Sequence, residues 1–334
     1  MTTQAQYNTY GDLGETIGIY ASSKLLKTAD TKLVLDKFGL SESMPANKGD
    51  TIRWRRIKPF PVNLSTLTEG VTPPATNIEF ETVDANLYQY GARYAYTDVA
   101  ADLLDLNFLN PTIEEAAKQA ALTRELLIWN TLKSGGTTFY SNGSAPIDVN
   151  TPVDSDAVRA IIQHLDRNHA TKVAKMIKAG PNFSTEPIRP GYIAVGHIDL
   201  QRDLEEMDGY VPVENYASYS PVSEFEVGSL NGVRFILTPH LSPDLGAGSA
   251  TLNGMRNTNS AVDVYTLVIF GSDAYGTVAL KGMNSVQVNG RKPTMNTPGD
   301  ELGQRGSLVW KFWHANKILN DNWIANFKCA VTQL

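Results

Sequence analysis

Gly49-Asp50-Thr51-Ile52-Arg53-Trp54-Arg55-Arg56-Ile57 has a period of two, and its reading decides the fold. β-Branched and aromatic residues alternate there with cations, which is the pattern of a half-exposed strand. The partner strand comes late. Pro59, Pro61, Gly70, Pro73 and Pro74 break the stretch that follows, and Ile78 to Tyr96 then resumes as a second, longer strand. Residues 49–98 therefore read as a hairpin with a large proline-rich tip, and its two limbs differ in sign. Lys48, Arg53, Arg55, Arg56 and Lys58 mark the first, while Glu69, Glu79, Glu81, Asp84 and Asp98 mark the second.

Side chains alternate along a strand, so Arg53 and Arg55 share one face, as do Glu79 and Glu81. A register that sets Arg53 against Glu81 and Arg55 against Glu79 also sets Trp54 against Phe80, giving two ion pairs and one aromatic pair. Tyr88, Tyr90, Tyr94 and Tyr96 extend an aromatic stripe from Phe80 along the even positions. It reads as a core or interface face, because no polar groups converge on it as they would around a ligand. A hairpin with so long a tip buries little of itself, so it is expected to depend on packing against a neighbouring subunit. Arg53, Trp54, Arg55, Arg56, Glu69, Glu79, Phe80 and Glu81 are accordingly the candidate subunit-interface residues.

Outward from the hairpin, residues 1–48 mix small polar residues with short apolar pairs and read as an extended arm with one short helix, Tyr20 to Lys27. On the other side Asn110 offers an N-cap, Pro111 suits a first helical position, and Gly135-Gly136 stops the chain. A helix from Pro111 to Ser134 would extend about 36 Å, long enough to act as a spine. Thr151-Pro152 announces a second helix, to about Asn168. Strands are expected at Tyr192–Val195, Val233–Leu237, Val264–Phe270 and Thr277–Leu280, with a short helix over Asp199–Met207. The apolar, aromatic tail from Leu308 to Val331 reads as long buried strands that close the fold.

Composition excludes several roles. The 334 residues carry 29 basic and 35 acidic side chains, a net charge of -6, so no global positive field draws the protein to nucleic acid or to an anionic membrane. The amino terminus has neither the basic start nor the apolar run of a secretory signal, and no apolar stretch reaches bilayer length. Synthesis in a cytoplasm is expected. Cys329 is the only cysteine, which rules out an intrachain disulfide and a thiol-rich zinc site. Phosphate loops, dinucleotide folds, metalloprotease helices, nucleophile elbows and calcium loops are absent as motifs.

Remaining chemistry is thin. His164 and His169 flank Asp166, yet five residues of separation put the rings on different sides of a helix. His197 with Asp199, and His240, look isolated, and Glu205, Glu206 and Asp208 read as a solvated helix end. No catalytic, cofactor or metal residues are assigned. The stripe from Arg53 to Lys58 around Trp54 superficially matches a single-strand stacking platform, but the acidic limb would cancel much of its field.

The order of elements, supported by local strings, resembles the Hong Kong 97 fold of tailed-bacteriophage major capsid proteins, and within it the family of N-four-like phages. The strings are Gly49 to Arg56, Leu67-Thr68-Glu69-Gly70-Val71-Thr72-Pro73-Pro74, Gln89-Tyr90-Gly91, Gly232-Val233-Arg234-Phe235, and Phe270-Gly271-Ser272-Asp273-Ala274-Tyr275-Gly276. Trp310-Lys311-Phe312-Trp313-His314-Ala315 and Ile318-Leu319-Asn320-Asp321-Asn322-Trp323 complete the set. The resemblance covers residue 49 to the end.

It implies an α+β chain with an N-terminal arm (1–48), an extended hairpin loop (49–98), a peripheral domain with a spine helix (99–150 and 279–334) and an axial domain (151–278). The implied role is a non-enzymatic subunit of hexamers and pentamers in an icosahedral shell around double-stranded DNA. The implied partners are other copies, neighbouring capsomers, DNA bound without sequence specificity, and portal, scaffold and decoration proteins, with no membrane. The virion capsid is the expected location, after assembly in the bacterial host cytoplasm. An encapsulin-like compartment shell, and a nucleic-acid-binding module built on Arg53 to Lys58, are the rival readings.

Overall fold

The computed structural model describes residues 34–333 apart from 46, 48, 68, 71, 74, 104–108, 179–183, 217–220, 281–285, 292 and 294–298. The helix expected at Tyr20 to Lys27 lies outside the described residues. The chain runs β1 (Leu40–Met44), β2 (Thr51–Ile57), β3 (Phe80–Asn86), β4 (Tyr88–Thr97), α1 (Asp98–Leu103), α2 (Leu109–Ser134), β5 (Thr137–Tyr140) and α3 (Ser155–Arg167). It continues through β6 (Val173–Lys178), β7 (Ser184–His197), α4 (Gln201–Glu205), β8 (Val211–Pro212), β9 (Glu226–Leu230) and β10 (Val233–Thr238). A short pair, β11 (Asn257–Thr258) and β12 (Ala261–Val262), precedes β13 (Tyr265–Phe270), β14 (Tyr275–Leu280), β15 (Gln287–Arg291), β16 (Arg305–Ile318) and β17 (Ile324–Cys329).

Two sheets organise these elements. The larger has eight strands in the order β5-β17-β13-β7-β10-β9-β8, with β6 added beside β7. Every residue of β10 and of β13 is buried, as expected of strands covered on both faces. On one face α3 supplies Val158, Ile161 and Leu165, which pack with Tyr192, Phe235, Leu267 and Phe327. On the other, the second half of α2 supplies Ile128, Trp129 and Leu132 against Ile193, Val195, Ile236, Val268 and Phe270.

The smaller sheet has five strands, β1-β14-β16-β15 with β4 also on β16. Its long member β16 pairs with β4 from Arg305 to His314 and with β14 from Ala315 to Ile318. The first half of α2 covers it, placing Ala116 and Ala120 on Leu308, Trp310 and Phe312. One helix thus spans both cores, and its far end is fixed by an unexpected residue. The fully buried Asn326 of β17 donates through Nδ2 to the carbonyls of Leu132, Lys133 and Gly135, at the end of the helix where carbonyls run out of donors from a following turn. Gly136 follows at φ 74°, where a Cβ would sit 2.6 Å from the Ile324 carbonyl oxygen.

Several sequence expectations shift in detail. The spine helix begins at Leu109, before the expected cap Asn110. The cap of α3 is Asp154, whose carboxylate accepts the Ser155 N–H, and not Thr151. The long strand from Ile78 to Tyr96 is two strands that separate at Leu87, β3 joining β2 and β4 joining β16. Residues 34–44, read as part of an arm, are built into the body. Val34 and Leu35 are fully buried, and β1 pairs in parallel with β14. Within 279–334, β17 lies in the eight-stranded sheet and β16 in the five-stranded one, so that stretch serves both layers.

Candidate assembly interface

Alternating small, aromatic and charged residues make β2 and β3 a two-stranded antiparallel sheet that stands outside both large sheets. Its register differs from the expected one. Arg53 opposes Asp84, Trp54 opposes Val83, Arg55 opposes Thr82, Arg56 opposes Glu81 and Ile57 opposes Phe80. The pairing is offset by three residues, an odd number, so Trp54 and Phe80 fall on opposite faces.

The ion pairs survive with new partners. The Arg53 guanidinium donates through Nε and Nη2 to both Asp84 carboxylate oxygens, at 2.6 and 2.7 Å. Arg56 Nε donates to Glu81 Oε2 and Lys58 Nζ to Glu79 Oε2, each at 2.8 Å. These hydrogen bonds hold the Asp84, Glu81 and Glu79 carboxyls below the usual carboxylate range. All of these groups lie in solvent, where such pairs contribute little stability.

What the register decides is which face turns inward. Ile52 and Trp54 pack with Met44, Ala85, Leu87, Val278 and Ala315, so the even face of β2 sits on the five-stranded sheet. The fit requires Gly276, since a Cβ there would lie 2.9 Å from Trp54 Cζ2. Phe80 stays 59% exposed on the other face, and Glu69 is exposed in the tip. The aromatic stripe does not form one face: Phe80 is carried by β3 and the tyrosines by β4, where Tyr90 stacks on Phe312 at 5.6 Å and Tyr96 is buried while Tyr88 and Tyr94 remain exposed.

The tip adds residues that the sequence reading missed. Phe60, Val62, Leu64 and Leu67 are 60, 84, 89 and 76% exposed, and every described residue from 58 to 79 is exposed. The spacing of Phe60, Val62 and Leu64 by two was a readable signal, masked by the intervening prolines. An exposed apolar run of this kind marks a surface that another molecule covers.

Elsewhere the polar groups are structural. His197 and Asp199, which looked isolated, meet at 3.3 Å, and Asp199 also receives Arg256 and the Tyr265 hydroxyl. Burial first, with Arg256 adding to it, holds the His197 imidazole below its ordinary range against the pull of Asp199. His164 packs edge-on to Phe139, and Glu205 and Glu206 bond within their own turn to Gln201 and Arg202. Among the described residues no group of three or more His, Cys, Asp or Glu side chains is placed to hold a metal ion, and no helix is long and apolar enough to cross a membrane.

A family model described as phage capsid protein matches residues 80–328. The chain belongs to the phage capsid protein family. The major capsid protein of Pseudomonas phage KPP21 is 25% identical over 289 residues, covering 79% of this chain and 72% of that relative. In fold the capsid protein is similar to the capsid of Ralstonia phage GP4, with a TM-score of 0.66 at 11% identity over 99% of each chain. The head structure of Helicobacter pylori bacteriophage KHP40 gives 0.63 at 10% identity over 98% of each. The fold is therefore the α+β Hong Kong 97 type, and the capsid protein is a structural shell subunit. Neither the encapsulin-like nor the nucleic-acid-module reading is favoured by these relatives.

Proposed function

We propose that the capsid protein forms the hexamers and pentamers of a closed icosahedral shell around double-stranded DNA, assembling in the host cytoplasm and residing in the virion. The observation that carries this reading is the β2–β3 hairpin, whose described tip is exposed throughout and apolar at Phe60, Val62, Leu64 and Leu67. A tip of that composition has no stable resting place in water and is covered when copies meet. In this reading residues 49–98 form the extended loop that lies over a neighbouring subunit. Residues 99–150 and 279–334 form a peripheral domain around α2, and 151–278 form an axial domain. Arg53, Trp54, Arg55, Arg56, Glu69, Glu79, Phe80 and Glu81 are then residues of, or immediately behind, the contact between subunits.

Enclosed DNA is a partner without sequence specificity. The net charge of -6 and the neutralisation of Arg53, Arg56 and Lys58 by acids favour enclosure over tight binding. Portal, scaffold and decoration proteins complete the partner set. The role is structural and not catalytic. Electron microscopy of the purified protein tests the proposal: closed shells, or rings of six and five subunits, are expected, and a protein that stays monomeric under all assembly conditions contradicts it.

A further inference from the structure

The inner face of the hairpin is used within its own subunit, but the outer face is not. It carries Arg53, Arg55 and Ile57 opposite Asp84, Thr82 and Phe80. Ile57 and Phe80 are 54 and 59% exposed. Arg53 is taken by Asp84, whereas Arg55 faces Thr82 and has no ion-pair partner among the described residues. The face is thus apolar with one cation, Arg55, that acts on Asp84 through space but makes no ion pair among the described residues. Resting on the shell-subunit reading above, we propose that Arg55, Ile57 and Phe80 of one copy dock on the edge formed by α1 and the 300–303 turn of a second copy.

That edge has the complementary character. Leu302 is 81% and Val99 49% exposed, and Asp102 and Glu301 stand exposed beside them with no ion-pair partner among the described residues. The turn is firmly built: Asp300 accepts the Gln304 and Arg305 N–H groups, and the Asp98 N–H donates to the Gln304 carbonyl at 3.0 Å. Among the described residues, Asp300 is taken by Arg291 at 3.7 Å, which leaves Asp98, Asp102 and Glu301 as the acids of this edge, so it suits a cationic apolar partner.

Geometry makes the contact one between copies. The hairpin is rooted where Trp54 meets Gly276, and Gly276 pairs with Lys317 near the end of β16. The acidic edge adjoins Arg305, the first residue of that strand. At about 3.3 Å per residue these points lie roughly 40 Å apart along β16, while the seven residues of β2 span only about 23 Å. A surface at one end that fits a surface at the other is a head-to-tail contact, which closes into rings when the rotation between copies allows.

Charge reversal tests the pairing. Arg55→Glu is expected to lower the assembled fraction at least about tenfold at fixed protein concentration, with an unchanged melting temperature because Arg55 is exposed. Adding Asp102→Lys and Glu301→Lys to Arg55→Glu is expected to restore assembly. Independently, Ile57→Cys with Leu302→Cys is expected to give covalent ladders on oxidation of assembled protein, since Cys329 is buried and does not compete. Unimpaired assembly of Arg55→Glu, a defect that the lysines fail to relieve, or the lack of a ladder overturns the proposal while leaving the shell reading intact. Loss of DNA binding by Arg55→Glu without loss of assembly assigns Arg55 to nucleic acid and also overturns it. Wild-type protein that forms no assembly removes the shell reading and the docking proposal together.

Discussion

Charged side chains organise two regions of the capsid protein in opposite ways. In the hairpin, Arg53–Asp84, Arg56–Glu81 and Lys58–Glu79 lie in solvent as a ladder of exposed pairs. Under the spine helix, Glu125 is 1% exposed and accepts the backbone N–H groups of Val34 and Leu35 through Oε1, at 2.8 and 2.9 Å. Arg124 holds Asp36 beside it at 2.7 Å, and the Tyr275 hydroxyl donates to the Leu35 carbonyl. Exposed pairs contribute little energetic gain, whereas a buried carboxylate on two buried donors is costly to disturb. The fold is therefore held at the clasp, and the hairpin is left free to spend its surface on another copy.

The comparison breaks first at Glu125. Glu125→Ala leaves two buried N–H groups unpaired and is expected to cost about 4 kcal/mol in urea unfolding. A loss no larger than that of a surface substitution would remove the distinction between the regions. The carboxyl itself is pushed above its usual range, chiefly by burial and against the pull of the two N–H groups, so retaining it signals a structural need.

Acid sharpens the same contrast. His314 is buried on β16, and burial first, then nearby Arg124, brings its imidazole down to about 4. The folded protein thus binds fewer protons at this site than the unfolded chain, whose histidine titrates near 6.5. Stability is present in full above pH about 6.5 and is lost as pH falls towards 4, by about 3 kcal/mol. A melting-temperature series should show that slope, and His314→Phe should flatten it. An unchanged acid limb in the variant would contradict the assignment.

Trp54 comes next. Trp54→Ala removes a half-buried ring from the cluster over Gly276 and is expected to cost about 2 kcal/mol. Hydrogen exchange should then accelerate in β2 and β3 while β10 and β13 stay protected. Smallest of all is Lys58→Ala, which should leave the unfolding midpoint at the wild-type value. A measurable drop there would mean that the exposed ladder carries fold stability.

Much of this was legible in the sequence where one physical signal dominated. Pro111 and the closing glycines Gly135-Gly136 mark the spine helix, and the β-rich runs at 233–237 and 264–270, interrupted only by Arg234 and Thr266, mark strands that prove buried on both faces. The hairpin and its opposite charges were also readable, but the register was not. Arg53 can satisfy itself with Glu81 or with Asp84, and what chooses between them is the burial of Trp54 over Gly276, more than two hundred residues away. The break at Leu87 and the clasp at Glu125 were hidden for the same reason. Each depends on a partner strand or helix that local periodicity does not name. Asn326 carries no cap signal of its own and acts only because β17 passes the end of α2.

The most direct measurement of the central claim replaces residues 60–77 by a two-residue turn and follows assembly by sedimentation and electron microscopy. The shortened protein should keep the wild-type melting temperature, because every described residue it loses is exposed, and should form no shells. Normal shells from the shortened protein would contradict the claim that the hairpin tip joins one copy to the next.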